Sequence, residues 1–93
     1  MTIDTVALVE DCVDGSRIRE IVVDQHLTPQ SIRALGSLGE LEYFADFPRP
    51  FFRVISDTYQ LKGVQGTTRI RLWARSDDAL TVLDRIREIL SGL

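Results

Sequence analysis

Between Thr58 and Trp73 the chain alternates apolar and polar residues on both sides of Gln65–Gly66. Few features narrow the possible folds as much. A period of two is the signature of a strand with one wet face, and a Gly two residues after Val64 supplies the positive φ that a tight turn needs. Folding about Gln65–Gly66 pairs Leu61 with Ile70 and Tyr59 with Leu72 on one face. On the other face it pairs Lys62 with Arg69, Gln60 with Arg71 and Thr58 with Trp73. Apolar meets apolar and polar meets polar, as in a half-buried hairpin. Upstream, a second turn at Ser56–Asp57 would pair Val54 with Tyr59 and Phe52 with Leu61; the rival is a single strand over 51–64 bent by a bulge near Asp57.

The rest of the chain reads in the same way. Strands are expected over 4–12 and 17–24, joined by a turn at Asp14–Gly15 whose register the sequence leaves open. Thr28 caps and Pro29 opens a helix over 29–37, which Gly36 and Gly39 keep short. Leu41, Tyr43 and Ala45 alternate against Glu42, Phe44 and Asp46 in a strand over 40–47. Phe47–Pro48–Arg49–Pro50 cannot sit inside a central strand, because two of its four residues lack an N–H; with Phe51 and Phe52 it reads as a connection pinned into the core. Ser76 caps a last helix whose buried stripe is Ala79, Leu80, Leu83, Ile86 and Leu90, with Thr81, Asp84, Arg85 and Glu88 in water and Arg85 within reach of Glu88. The predicted class is α+β: a two-layer sandwich of about four or five antiparallel strands with two helices on one face, in the order ββαβββα. In outline it is comparable to a permuted ferredoxin-like arrangement. Fold alone carries no function.

At 93 residues, of which 44% are hydrophobic, the chain is expected to form one domain over 1–93 with one core. Its longest apolar run is Val6–Val9, too short to cross a membrane as a helix. The acidic N-terminus does not resemble a secretory leader, so a cytoplasmic location is expected. The net charge of −3 hides an imbalance. Residues 1–46 hold nine acids against three arginines, and residues 47–93 hold eight cations against five acids. The two halves can neutralise each other within one chain or between two copies. The strongest cationic run is Arg49, Arg53, Lys62, Arg69, Arg71 and Arg75.

No nucleophile–base pair, metal set or cofactor fingerprint is visible, so the chain reads as non-catalytic, without metal or cofactor. Cys12 lies among Glu10, Asp11 and Asp14, which oppose thiolate formation, and reads as structural. His26 stands in a loop without partners at ligand spacing. Gly63–Thr68 carries turn chemistry and opens no helix, so it is no phosphate loop. What remains is one sheet face: Arg69, Arg71, Trp73 and Arg75 on one strand, with Lys62 and Arg53 beside them. Arg and Trp are enriched at protein hot spots. The expected function is an interaction module that binds a protein partner or self-associates through this face, the acidic first half of one copy meeting the arginines of the other. The alternatives are a single-stranded nucleic-acid-binding domain using the same face and a small-ligand sensor at a dimer interface. We expect excess chelator to leave the melting temperature unchanged and Cys12→Ser to be tolerated. A chelator-induced unfolding step in calorimetry would restore Cys12 and His26 as ligands.

Overall fold

In the computed structural model, which describes residues 1–75 and 77–93, the chain forms six strands and two α-helices. They are β1 (Ile3–Asp11), β2 (Ser16–Val23), α1 (Pro29–Leu35), β3 (Glu40–Phe44), β4 (Phe51–Ile55), β5 (Tyr59–Val64), β6 (Arg69–Arg75) and α2 (Ala79–Ser91). The class is α+β as expected, with six strands where four or five were predicted. The extra strand arises because 51–64 is two strands, β4 and β5, broken by a turn in which the Ser56 N–H bonds the Tyr59 carbonyl. The sheet order is β1-β2-β6-β5-β4-β3, and every neighbouring pair is antiparallel. β2 and β3 therefore run in the same direction with three strands between them. A split β-α-β unit of the ferredoxin type leaves room for one, so that comparison does not hold in detail.

Local chemistry sets the elements close to where the sequence placed them. At the β1–β2 turn, Gly15 has φ of 87° and the Cys12 N–H bonds the Ser16 carbonyl at 2.8 Å. Thr28 and Ser31 cap α1 reciprocally, each side chain accepting from the other's backbone N–H, and Pro29 fills the first turn. The helix passes at Gly36 into a 3-10 turn ending at Leu38. β3 stops at Phe44, so Ala45 lies outside the strand and exposed. β1 carries two irregularities, an extra residue at Asp4 and another at Val9, relative to β2.

Both hairpin registers differ from the predicted ones by two residues. Leu61 lies opposite Leu72 and Tyr59 opposite Ala74, while Val54 rather than Phe52 faces Leu61. The connection from Val64 to Arg69 is longer than a two-residue turn because its backbone bonds elsewhere. The Gln65 N–H goes to the Pro50 carbonyl, the Gly66 N–H to Leu27, and the carbonyls of Thr67 and Thr68 accept from Leu27 and Val23. Gly66 keeps the positive φ, at 85°. A shift of two leaves every side chain on its predicted face.

One core results. Ile21, Val23, Phe52, Val54, Leu61, Ile70, Leu72 and Ala74 project from the sheet against Ile32 and Leu35 of α1 and Val82, Leu83, Ile86 and Leu90 of α2. The Phe52 ring fills the space where a Gly63 side chain would stand; a Cβ there would lie 2.6 Å from the ring. The α2 stripe differs from the expected one in a single position. Leu80 is 75% exposed and Val82 is buried in its place, because Val82 lies three residues beyond Ala79 and four before Ile86, in line along the helix. The predicted Ser76 cap lies outside the described residues; Asp78 occupies the N-cap without a side-chain bond. The expected Arg85–Glu88 pair is replaced by Arg87–Asp84 at 3.5 Å. Leu83→Ala should lower unfolding free energy by about 2–5 kcal/mol, and Leu80→Ala by no more than about 0.5 kcal/mol. Urea titration of both variants checks the helix orientation.

Candidate binding face

The face of the sheet away from the helices is organised in three rows that run across the strands. The first is Glu10–Ile18–Trp73–Gln60–Ile55–Glu40. The second, two residues further along each strand, is Glu20–Arg71–Lys62–Arg53–Glu42. The third has Val22 beside Arg69 at one end and Val64, Phe51 and Phe44 at the other. A central row of charge is thus flanked on one side by a row that is half apolar, with Ile18, Trp73 and Ile55 between polar residues, and on the other by a row that is mainly apolar. Ile18, Trp73, Ile55, Val22, Val64, Phe51 and Phe44 are all half-buried, with no second layer of structure over them among the described residues.

The second row places three cations between two carboxylates. Glu20 accepts from Arg69 at 2.8 Å and lies 3.6 Å from Arg71, and Glu42 lies 2.7 Å from Arg53. Both carboxylates come from the acidic first half of the chain, so part of the charge imbalance is neutralised internally. Exposed pairs of this kind contribute about 0–1 kcal/mol each. Lys62, between Arg53 and Arg71, takes part in no ion pair among the described residues. The Arg53 Nε is buried without an acceptor.

Between the second and third rows lies an open groove of about 520 Å³. Phe51 and Val64 form its apolar floor, Arg53, Lys62, Arg69 and Arg71 its cationic wall, and Thr67 and Glu20 its ends. An aromatic cluster extends the floor: Phe44 and Phe51 stack with centroids 4.6 Å apart, and Phe47 meets Phe44 edge-on at 6.0 Å. The Phe47–Phe52 segment is therefore divided. Phe52 enters the core, whereas Phe51 and the exposed Phe47 belong to the outer face.

Of the residues singled out from the sequence, Arg53, Lys62, Arg69 and Arg71 come together at the groove. Trp73 lies on the same face one row away. Arg75 does not join them: it lies opposite Ser16 at the far end of β6, where it is close enough to Asp14 to favour the carboxylate. Glu20, Glu42 and the Phe44–Phe47–Phe51 cluster are additional. The sidedness of Glu42 and Phe44 was readable from their alternation with Leu41 and Tyr43, but nothing local showed which cation each would meet. Cys12 is half-buried in the β1–β2 turn and His26 is exposed in its loop. No cluster of three or more His, Cys, Asp or Glu side chains suited to a metal occurs among the described residues.

The β1–β2 turn has its own electrostatics. The Ser16 hydroxyl and backbone N–H both donate to Asp14, at 2.6 and 3.0 Å, and hold its carboxyl below the usual value, against a smaller desolvation effect. A carboxyl whose folded pKa is lowered stabilises the fold fully above its unfolded value, and this contribution fades as pH falls through the folded one. In Ser16→Ala the Asp14 carboxyl should therefore titrate at higher pH than in the wild type, as followed by carboxyl-carbon NMR. No protein-family model, curated protein or solved structure matches the chain.

Proposed function

We propose that this domain is a non-catalytic interaction module and that its outer sheet face docks a protein element carrying a few clustered carboxylates beside apolar side chains. The observation that carries this reading is the row Glu20–Arg71–Lys62–Arg53–Glu42, lying between Ile18, Trp73 and Ile55 on one side and Val22, Val64, Phe51 and Phe44 on the other. An antiparallel sheet can leave one face in water when that face is polar. Here, instead, Trp73, Phe51, Phe44 and Ile55 stand there, and covering them is favourable at about 25 cal/mol per Å². The three cations span two strand spacings, about 10 Å, which suits one or two carboxylates rather than a long anionic chain. Two such faces laid squarely together would put Lys62 and Arg71 against their own copies. The docking element therefore has to be acidic.

Single-stranded nucleic acid is the second reading, and the Phe44–Phe47–Phe51 cluster together with Trp73 favours it, since bases stack on exposed aromatic rings. Against it, a phosphate chain following the cationic row meets Glu20 at one end and Glu42 at the other. The groove volume also lies within the range of small-ligand pockets, but its open form suits a protein surface better.

Trp73 is the sole tryptophan, so its emission reports on the face directly. A short peptide containing adjacent Asp, Glu and Phe should shift that emission saturably, and the Asn, Gln counterpart should not. Arg71→Glu should abolish the shift while leaving the melting curve in place, and raised salt should weaken it, because the screening length is about 10 Å at 0.1 M. Tighter binding of an oligothymidylate than of the acidic peptide would transfer the face to nucleic acid.

A further inference from the structure

The chain itself carries a segment of the required chemistry. At the β1–β2 turn, Glu10, Asp11 and Asp14 outnumber Arg17 and the neighbouring Arg75, and Val13 projects fully into solvent, with Leu8 and Val9 about half exposed behind it. Asp11 is paired with Arg17 at 2.9 Å, but Glu10 and Asp14 have no cationic partner within ion-pair distance among the described residues. An apolar side chain at the apex of an acidic turn complements a groove with an apolar floor and a cationic wall.

We infer that the occupant of the groove is the β1–β2 turn of a second copy of this chain, exchanged reciprocally across a two-fold axis. This rests on the reading of the outer face as a docking surface. A turn cannot reach the groove of its own copy. It lies beyond the Ser16–Arg75 pair at one end of β6, and the groove lies at Arg69–Arg71, at least about 14 Å away along a rigid strand. In another copy the geometry closes. Trp73 stands midway between Arg71 and Arg75 on β6, while the turn lies at the β1–β2 edge and the groove spans β6, β5 and β4, so a two-fold axis crossing the strands obliquely at Trp73 carries each turn to the other's groove. The same operation brings the two Trp73 rings together and keeps Lys62 and Arg71 away from their own copies. An exchange of this kind is self-complementary and stops at two subunits.

Sedimentation equilibrium on the full chain tests the inference, with the paired substitutions Val13→Lys and Lys62→Glu as its central arm. Both positions are exposed, so both variants should keep the wild-type melting curve and circular dichroism spectrum. The wild type should dimerise more tightly at low salt than at high salt. Each variant alone should lose at least about tenfold in dimerisation constant. Val13→Lys sets a cation at the turn apex against Lys62 of the groove, and Lys62→Glu sets a carboxylate in the groove against Asp14 of the turn. Mixing the two variants should restore a heterodimer, which contains one wild-type contact and one swapped contact. A wild type that stays monomeric at low salt overturns the inference, and leaves the acidic-peptide experiment to decide the docking face. A dimer unaffected by either variant, or variants that do not rescue each other, overturns it as well. A dimer lost in Trp73→Ala yet unchanged in both charge variants would overturn it too, by placing another arrangement on the same face.

Discussion

The sheet depends on the insertion of β6 between β2 and β5. Without β6 the sheet would be two separate pieces, the β1–β2 hairpin and the β3–β4–β5 meander, with no strand pairing between them. β6 is hydrogen-bonded along both edges, and its inward residues Ile70, Leu72 and Ala74 are completely buried. Burying one such Ile or Leu is worth about 1.5–3 kcal/mol, so this strand both welds the halves and contributes a large share of the core. The same insertion explains the crossover from β2 to β3: the intervening slot is filled by residues made much later in the chain.

Because successive residues of a strand face opposite ways, β6 separates two kinds of chemistry at every step. Ile70, Leu72 and Ala74 answer to the helices, and Arg69, Arg71 and Trp73 answer to whatever meets the outer face. The outward set can vary in charge without disturbing the core, as the modest worth of its ion pairs indicates. Glu20 and Glu42 take part in both balances. They offset two of the four cations Arg53, Lys62, Arg69 and Arg71 within the subunit, and by standing at the two ends they confine the remaining positive charge to the middle of the row, at Arg71 and Lys62. The position of the positive potential is thus fixed by acids.

Alternation made the faces of the sheet legible in the sequence, and capping chemistry made α1 legible. Thr28 and Pro29 mark its start, and Leu61, Ile70 and Leu72 can point only one way if Lys62, Arg69 and Arg71 are to stay wet. Register was not legible. A slip of two residues preserves every face, and what decides it is long-range backbone bonding: Gln65 to Pro50, Leu27 to Thr67, Val23 to Thr68. The choice between Leu80 and Val82 was hidden for a related reason, since both are apolar and the helix had first to be anchored at Ala79. For the candidate site, Arg53, Lys62, Arg69 and Arg71 could be gathered from the pattern alone. Their counter-ions could not, because Glu20 and Glu42 reach them through strand pairings between residues far apart in sequence.

The two extra residues in β1, at Asp4 and Val9, have an effect on what the sheet can grow into. A long straight outer strand offers a regular ladder of free N–H and C=O groups, onto which further strands add without limit, as in cross-β aggregates. Here the ladder is interrupted twice within nine residues, and carboxylates at Asp4, Glu10 and Asp11 stand along it. At the opposite margin β3 is only five residues long and presents Glu40 and Glu42. The lateral borders are thereby poor templates, and open-ended growth of the sheet by strand addition is blocked at both of its margins.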